Sequence, residues 1–516
     1  MHLLLTCHDL AAWRQRQEAP IHFVPTMGAL HQGHEALIHA AARPVAGREP
    51  VVLVSVFVNP LQFGPQEDFG RYPRNLDADA GVAAAAGAAA LFAPEAAELY
   101  PAGEAGLTRV QPPSSLRRSL CAPLRPGHFE GVATVVVRLL ALIRPERLLL
   151  GEKDWQQLVI LRRVVRDLGL PVQVQGCATV READGLACSS RNRYLSADQR
   201  TQAGALPRAL KIASSQSGLP GGAITGGLRQ RLEAAGLEVE YAELVMAHSL
   251  EPVDRVAGLC LLASAVRCGP GRLIDHTFLM SRSPIVAIDG PAGAGKSTVT
   301  RAFARRLGLI YLDTGAMYRA VTWWVQHLGA DPALPEAVAA ALAGLDLQIS
   351  AAAEGAQQVC INGHDVTEAI RSPEVTAQVS AVAAHGCVRD ALTAQQQAMG
   401  SRGGLVAEGR DIGTAVFPDA DLKVFLTATV AERARRRAQD LEARGFAVPS
   451  QPVLEAEIAE RDHRDATRAV APLRMADDAV ELVTDGMAIE AVIQALVDLF
   501  RDRVPHDAWP DPDPQP

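Results

Sequence analysis

Ile285-Val286-Ala287-Ile288-Asp289-Gly290-Pro291-Ala292-Gly293-Ala294-Gly295-Lys296-Ser297-Thr298 decides how the chain is divided. An apolar, β-branched run enters Gly-x-x-x-x-Gly-Lys-Ser, the phosphate-binding loop in the strand-to-helix context it needs. Gly290, Gly293 and Gly295 let backbone N–H groups wrap an anion, and the following helix N-terminus adds partial positive charge. Lys296 supplies a mobile ammonium for the β/γ-phosphates, while Ser297, followed by Thr298, offers a hydroxyl to Mg²⁺. Such a loop follows the first strand of its domain, so a domain begins near residue 284. The roughly 280 residues in front of it are too many for an extension, and the chain reads as two enzymes.

The bulk properties agree. At 516 residues the chain has room for roughly three to four domains of about 150 residues. Its 48% hydrophobic and 21% charged content suits a soluble globular chain. A net charge of −8 argues against a broad nucleic-acid surface. The eight cysteines are scattered without a Cys-x-x-Cys pair, as expected of reduced thiols. No apolar run reaches membrane-spanning length and the N-terminus does not read as a signal peptide, so no membrane is expected and the location is cytoplasmic. Lysine occurs only four times, and Lys153 and Lys296 both fall in candidate nucleotide motifs. A compact ammonium is not replaced there by planar guanidinium.

In the first half, Ile21–Pro25 reads as a strand and Glu35–Ala42 as a helix. Between them lies Thr26-Met27-Gly28-Ala29-Leu30-His31-Gln32-Gly33-His34, with two imidazoles at a helix entrance where anions are attracted. The tetrad His31-Gln32-Gly33-His34 resembles the signature of the nucleotidyltransferase superfamily. Val51–Phe57, a buried parallel strand by composition, delivers Asn59 and Gln62 to its C-terminal end, the ligand edge of open α/β sheets. Leu148–Leu150 likewise delivers Gly151-Glu152-Lys153-Asp154-Trp155-Gln156-Gln157. Cys188-Ser189-Ser190-Arg191 has the form of a mobile phosphate clamp.

With Arg125-Pro126-Gly127-His128-Phe129-Glu130-Gly131, these motifs together resemble the pantothenate synthetase (pantoate–β-alanine ligase) family over about residues 1–280. The resemblance implies ATP as substrate, pantoyl adenylate as intermediate and β-alanine as acceptor. It implies that Met27–His34, Gly151–Asp154, Val180 and Cys188–Arg191 surround ATP. His31 and His34 would act on the α-phosphate, His34 as proton donor, and Lys153 and Arg191 would grip the triphosphate. Asp154 would face the metal or ribose, Gln62 and Gln157 would hold pantoate, and Asn59 would support them. Cys188 departs from the aliphatic residue more usual there and would make the loop sensitive to oxidation. The implied fold is α/β: a Rossmann-like nucleotidyltransferase domain at 1–177 and a small α+β closing domain at 178–280, with dimerisation through this half. Ser214–Gly227, rich in glycine and serine, reads as a loop.

In the second half, Leu309–Leu312 is a strand ending in Asp313-Thr314-Gly315-Ala316-Met317-Tyr318-Arg319. An Asn362-Gly363 turn within an alternating run predicts a β-hairpin. Glu408-Gly409-Arg410-Asp411-Ile412-Gly413, the arginine run Arg433–Arg437, and Arg461-Asp462-His463-Arg464-Asp465-Ala466-Thr467-Arg468 follow. These motifs, added to the phosphate loop, resemble bacterial cytidylate kinases over about residues 284–505. The resemblance implies a phosphate-loop nucleoside monophosphate kinase domain at 281–505, with a CMP-side insert at about 345–385 and a lid at about 430–465. CMP or dCMP would be bound by Thr314, Tyr318, Arg319, Arg389, Arg410, Asp411, Asp465 and Arg468. ATP would be bound by the loop with Arg433 and Arg436. The Pro/Asp-rich tail 506–516 reads as disordered. Two rivals stand beside this reading. The first half could be another His-x-Gly-His adenylyl-transferring enzyme, such as an aminoacyl-tRNA synthetase core, or one half could be a catalytically inactive nucleotide-binding regulator.

Overall fold

The computed structural model describes residues 1–512 except 46, 66, 352–356, 444, 446 and 469. The chain forms two compact units. One comprises Met1–Ser281 with Val504–Pro510; the other comprises Arg282–Arg503, to which Asp511 and Pro512 also belong.

The first unit is built on six parallel strands: β1 (His2–Leu4), β2 (Ile21–Thr26), β3 (Val51–Val56), β4 (Ala90–Phe92), β5 (Arg147–Gly151) and β6 (Gln173–Cys177). They lie in the order β1-β4-β3-β2-β5-β6. Chain progress runs one way from β2 through β3 to β4, then returns to β5 and β6. The strand order therefore reverses between β2 and β5, and ligands bind outside the carboxyl ends at such a point. Both faces are covered, which is why β2, β3 and β5 read as apolar runs and Phe23, Val24, Leu53, Val54, Leu148 and Leu149 are fully buried. The edge strands β1 and β6 escaped the sequence reading. β1 has only three residues, and β6 alternates buried and half-buried positions around Gly176.

The same unit contains an antiparallel sheet of β7 (Glu238–Met246), β8 (Leu259–Cys268) and β9 (Gly271–Met280). Helices Ala205–Ser214 and Gly221–Ala234 pack with it around Leu206, Leu210, Ile224, Leu228 and Leu232. Here the loop expected over Ser214–Gly227 is corrected: from Gly221 onward it is helix. Glycine disfavours helix by about 1 kcal/mol each. The burial of Ile224, Leu228 and Leu232 on one face, completely shielded from solvent, outweighs it. The disordered tail is corrected too. His506 and Asp507 donate backbone N–H groups to Glu152, and Ala508 packs against the main core. Residues 513–516 lie outside the described residues.

The second unit has five parallel strands: β10 (Ile285–Asp289), β11 (Ile310–Asp313), β15 (Leu405–Gly409), β16 (Leu422–Thr427) and β17 (Val480–Val483). Their order is β11-β15-β10-β16-β17, which places the phosphate-loop strand at the centre. An antiparallel sheet of β12 (Leu347–Ala351), β13 (Gln357–Ile361) and β14 (His364–Asp365) forms the expected hairpin and adds a strand to it. Its turn has Asn362 at φ 47° and Gly363 at φ 81°, the left-handed pair a tight hairpin requires.

The glycine-rich helix yields a test by chemical denaturation. Gly226 is exposed and nothing lies within 4 Å of an added Cβ, so Gly226→Ala should stabilise the first unit by about 0.5–1 kcal/mol. Ile224→Ala should cost about 2–5 kcal/mol. A destabilised Gly226→Ala protein would contradict the helix.

Candidate active sites

In the first unit a cavity of about 300 Å³ opens at the carboxyl ends of β2 and β5. After β2 the chain turns through Gly28 (φ 83°) and Ala29 (φ 52°). The buried carboxylate of Asp79 holds this turn by accepting from Ala29 N (3.1 Å) and Leu30 N (2.8 Å). A Cβ at Gly28 would sit 2.8 Å from Asp79 Oδ2, so only glycine fits. Asp79 stands in an alanine-rich helix, where no motif marked it.

His31 caps the helix Gln32–Ala41, its Nδ1 accepting from Gly33 N at 3.1 Å. His34 Nδ1 accepts in turn from His31 N at 3.3 Å. Both rings therefore carry their proton on Nε2, and their centroids lie 4.1 Å apart. Burial, then the charge of Lys153, pulls His31 down to about 4; burial, then His31, pulls His34 down to about 3. Both rings are held neutral and present Nε2–H as the free donor.

Asn59, fully buried, donates to Gln62 Oε1 (3.0 Å) and Gly131 O (3.1 Å) and accepts from Tyr100 OH (2.9 Å). Gln62 is thereby oriented at the cavity wall. Gly131 is needed because a Cβ there would meet Leu61 O at 2.2 Å. At the β5 end, Gly151, Lys153, Asp154, Gln156 and Gln157 line the cavity. Lys153 Nζ lies 3.5 Å from Asp154 Oδ1; against the upward push of burial, this ammonium keeps Asp154 below its usual range. Arg191 is paired with Asp68 at 2.9 and 3.2 Å, and Ser189 Oγ accepts from Arg191 N. Burial pushes the Cys188 thiol above its usual range, which disfavours the thiolate.

Met27, His31, Gly33, His34, Gln62, Val180 and Cys188–Arg191 also line this cavity. Gly28, Ala29, Leu30 and Gln32 instead shape its turn, and Glu152 is buried behind it. Sequence reasoning missed Tyr72, Tyr241, Arg272 and His276 in the lining. The last three come from β7 and β9, whose alternating pattern marks strands and carries no functional signal. Arg125 and His128, from the Arg125–Gly131 motif, form a half-buried link. Arg125 pairs with Glu67 (2.6 Å) and His128 Nδ1 donates to Gln62 O (2.8 Å).

In the second unit a cavity of about 610 Å³ is lined by Ala292–Thr298. Gly293 (φ 77°) and Gly295 (φ 85°) take the left-handed conformations the loop demands. At Gly290 a Cβ would strike Leu426 O at 2.0 Å. Lys296 Nζ donates to Gly290 O and Pro291 O, both at 2.8 Å. Burial, then neighbouring Arg410, lowers it to about 7. Ser297 Oγ donates to Glu408 Oε1 at 2.5 Å, while Glu408 Oε2 is buried with no hydrogen-bond partner.

Opposite the loop lies an alternating array of charge. Arg319 meets Asp313 (3.0 Å), Arg389 meets Asp411 (2.8 Å) and Arg410 meets Asp465 (3.1 Å). Arg468 stands 3.8 Å from Asp411 and 3.9 Å from Asp465. The Arg389 guanidinium lies 5.4 Å from the Tyr318 ring centre. Thr314 Oγ1 donates to Glu408 O at 2.7 Å. Thr314, Tyr318, Arg319, Arg389, Arg410, Asp411, Asp465 and Arg468 are thus brought to one cavity.

Arg433 and Arg436 are not in its lining. They donate to the loop carbonyls of Ala292 (3.1 Å) and Ala294 (3.3 Å) from outside. Arg437 and Arg461 line it instead, and the buried Arg461 Nε has no hydrogen-bond partner. Arg433 and Arg437 stand one helical turn apart on the same face, so an arginine run alone does not say which member reaches the cavity.

The comparisons with known proteins follow this division. The family model for pantoate-beta-alanine ligase matches residues 3–278, and that for cytidylate kinase matches residues 286–502. A protein of Prochlorococcus marinus (strain MIT 9313), named bifunctional pantoate ligase/cytidylate kinase, is 64% identical over 96% of this chain and 99% of its own length. One of the same name from Parasynechococcus marenigrum (strain WH8102) is 64% identical over 99% of this chain and 100% of its own. The crystal structure of pantothenate synthetase from Thermus thermophilus covers 54% of this chain and 98% of its own, with 44% identity and a TM-score of 0.50. Two cavities, two family matches and full-length relatives agree: the chain belongs to the bifunctional pantoate ligase/cytidylate kinase family.

Proposed function

We propose that the first cavity makes pantothenate and the second phosphorylates CMP and dCMP, each with its own ATP. The carrying observation is that each unit presents its own anion-binding helix entrance at the carboxyl edge of its own parallel sheet. His31 and His34 line one cavity, and the Ala292–Thr298 loop lines the other.

In the first reaction the pantoate carboxylate attacks the α-phosphorus of ATP and pyrophosphate leaves; the β-alanine amine then attacks the acyl carbon and AMP leaves. His31 and His34 donate Nε2–H bonds to α-phosphate oxygens as negative charge builds, without a proton having to move first. Lys153 neutralises the phosphates, and Arg191 joins it by exchanging Asp68 for phosphate. Gln62 and Gln157 hold pantoate without adding charge that would oppose a carboxylate nucleophile. Asp154 faces the ribose or metal side.

In the second reaction the CMP phosphate attacks the γ-phosphorus in line and ADP leaves. An acceptor that is already anionic needs no general base. Lys296 exchanges two loop carbonyls for β/γ-phosphate oxygens, and the anion restores its charge. Thr314, Arg319, Arg389, Arg410, Asp411, Asp465 and Arg468 hold the nucleoside monophosphate, with Asp411 and Asp465 reading the cytosine and sugar. Arg437 and Arg461, facing the cavity, take the charge-spreading role expected of Arg433 and Arg436.

Among the described residues no three His, Cys, Asp or Glu side chains cluster as a metal site. Ser297 and the unpartnered Glu408 oxygen would hold Mg²⁺, which when bound would offset the phosphate charge. Among the described residues no helix is long and apolar enough to cross a membrane. Dimerisation through the ligase half belongs to the same reading and rests on the resemblance. Sedimentation at micromolar concentration should give a two-chain mass, and a one-chain mass would remove it.

Single substitutions separate the activities. His34→Ala should lower β-alanine-dependent AMP release about 10²- to 10³-fold and leave CMP-dependent ADP release unchanged. Lys296→Ala should do the reverse. Loss of both activities from either change would overturn the two-site reading, and survival of both would discard the assigned residues.

The histidine electrostatics predict an imidazole titration. Imidazole ¹⁵N shifts of His31 and His34 should stay those of the neutral Nε2–H form from pH 8 to about 5. Folded pKa values lie below the unfolded value near 6.5, so the unfolded chain binds more protons. Stability should therefore be fully present above about pH 6.5 and fall as pH drops towards 4 and 3. A titration midpoint near 6.5 would contradict the buried geometry.

A further inference from the structure

The segment Val504–Pro510 follows the second unit's last helix, Ile489–Arg503, in sequence, yet it belongs to the first compact unit. It contains none of the motifs that mark either enzyme. Val504 is 2% exposed, and Ala508 packs against the core beneath the six-stranded sheet. Ala508 N and Trp509 N both donate to Pro505 O, at 3.1 and 3.0 Å, closing a tight turn. That turn aims two successive backbone N–H groups at one carboxylate. His506 N donates to Glu152 Oε1 at 2.9 Å and Asp507 N to Glu152 Oε2 at 2.8 Å. Glu152 is 1% exposed, so donors to its oxygens matter more than they would in water.

The side chain of Asp507 reaches a second wall. It accepts from Thr179 N at 2.9 Å and from the Thr179 hydroxyl, 328 positions earlier in the chain. Its Oδ2 is also 3.7 Å from Nε2 of buried His276, on β9. Thr179 and His276 line the ligase cavity, as do Gly151, Lys153 and Asp154 on either side of Glu152. One short segment thus contacts the strand-end turn that carries Lys153, the entrance to Val180 and the Cys188–Arg191 loop, and the β9 wall.

We propose that Val504–Pro510 is a brace for the ATP side of the ligase site, with Asp507 as a positioning residue. It touches no reacting atom. It fixes the Gly151–Asp154 turn through Glu152 and the 178–180 stretch through Thr179, and so sets where Lys153 and Val180 meet the nucleotide. The inference rests on the reading that those residues bind ATP. Its consequence is that ligase geometry depends on residues encoded after the entire kinase sequence.

The test uses the full chain. Asp507→Ala should raise the ligase KM for ATP about tenfold with kcat nearly held, because the misplaced groups contact ATP in ground and transition states alike. The KM values for pantoate and β-alanine, and both kinase constants, should not move. Asp507→Asn, whose Oδ1 can still accept from Thr179 N, should recover most of the loss. A merely structural role would lower the active fraction, and with it kcat, without moving the KM for ATP. Hydrogen exchange on the same variants, which needs no activity, should show faster uptake in peptides spanning 148–156 and 176–182 for Asp507→Ala. Unchanged exchange, or an unchanged KM for ATP in a folded Asp507→Ala protein, would overturn the brace. Either result would leave the assignment of the ligase site to be judged by the His34 substitution.

Discussion

The arrangement depends on one constraint: a strand that passes through glycine into a helix N-terminus turns backbone N–H groups and partial positive charge towards a polyphosphate. The chain meets it twice with different chemistry. In the second unit, Gly290, Gly293 and Gly295 let the loop curl, and a lysine sits within it. In the first, Gly28 allows the turn, Asp79 pins it, and two imidazoles replace the ammonium. Imidazoles whose Nδ1 atoms are spent on backbone donors can only offer Nε2–H. Under the proposed function they serve a step in which charge develops on the α-phosphate, and Lys296 serves the terminal phosphates.

In both cavities most of the cationic side chains already have partners within the chain. Arg191 rests on Asp68, Arg389 on Asp411, Arg410 on Asp465 and Lys296 on two carbonyls. A buried or half-buried guanidinium left without a partner would be costly, and internal carboxylates supply one here. This also orders the side chains in advance, which reduces the entropy lost on binding. Glu408 joins two functions on one strand end, since its side chain accepts from Ser297 and Tyr311 while its carbonyl accepts from Thr314.

Much of this was legible in the sequence because phosphate chemistry imposes glycine, histidine and lysine at fixed spacing beside strands. The loop at Gly290–Ser297, the His31/His34 pair, Asn59, Gln62 and Lys153 each announced a place at a sheet edge. The hairpin at Asn362-Gly363 was legible for a similar reason, since its turn needs two left-handed residues. What stayed hidden acts through packing or distant contact. Asp79 lies in an alanine-rich helix, Arg272 and His276 lie on plain strands, and Arg433 and Arg437, one helical turn apart, differ only in which of them reaches the cavity. The helix from Gly221 forms against local propensity because three aliphatic side chains bury together. Asp507 looked like part of a Pro/Asp tail, and only the fold brings it to Thr179 and Glu152.

The central claim is that one polypeptide carries two separate triphosphate sites. Calorimetric titration of the full chain with a non-hydrolysable ATP analogue tests it most directly. The account predicts two equivalents bound per chain, falling to one in His31→Ala/His34→Ala protein and to one in Lys296→Ala protein. A single equivalent in the unmodified chain, abolished by either change, would contradict it.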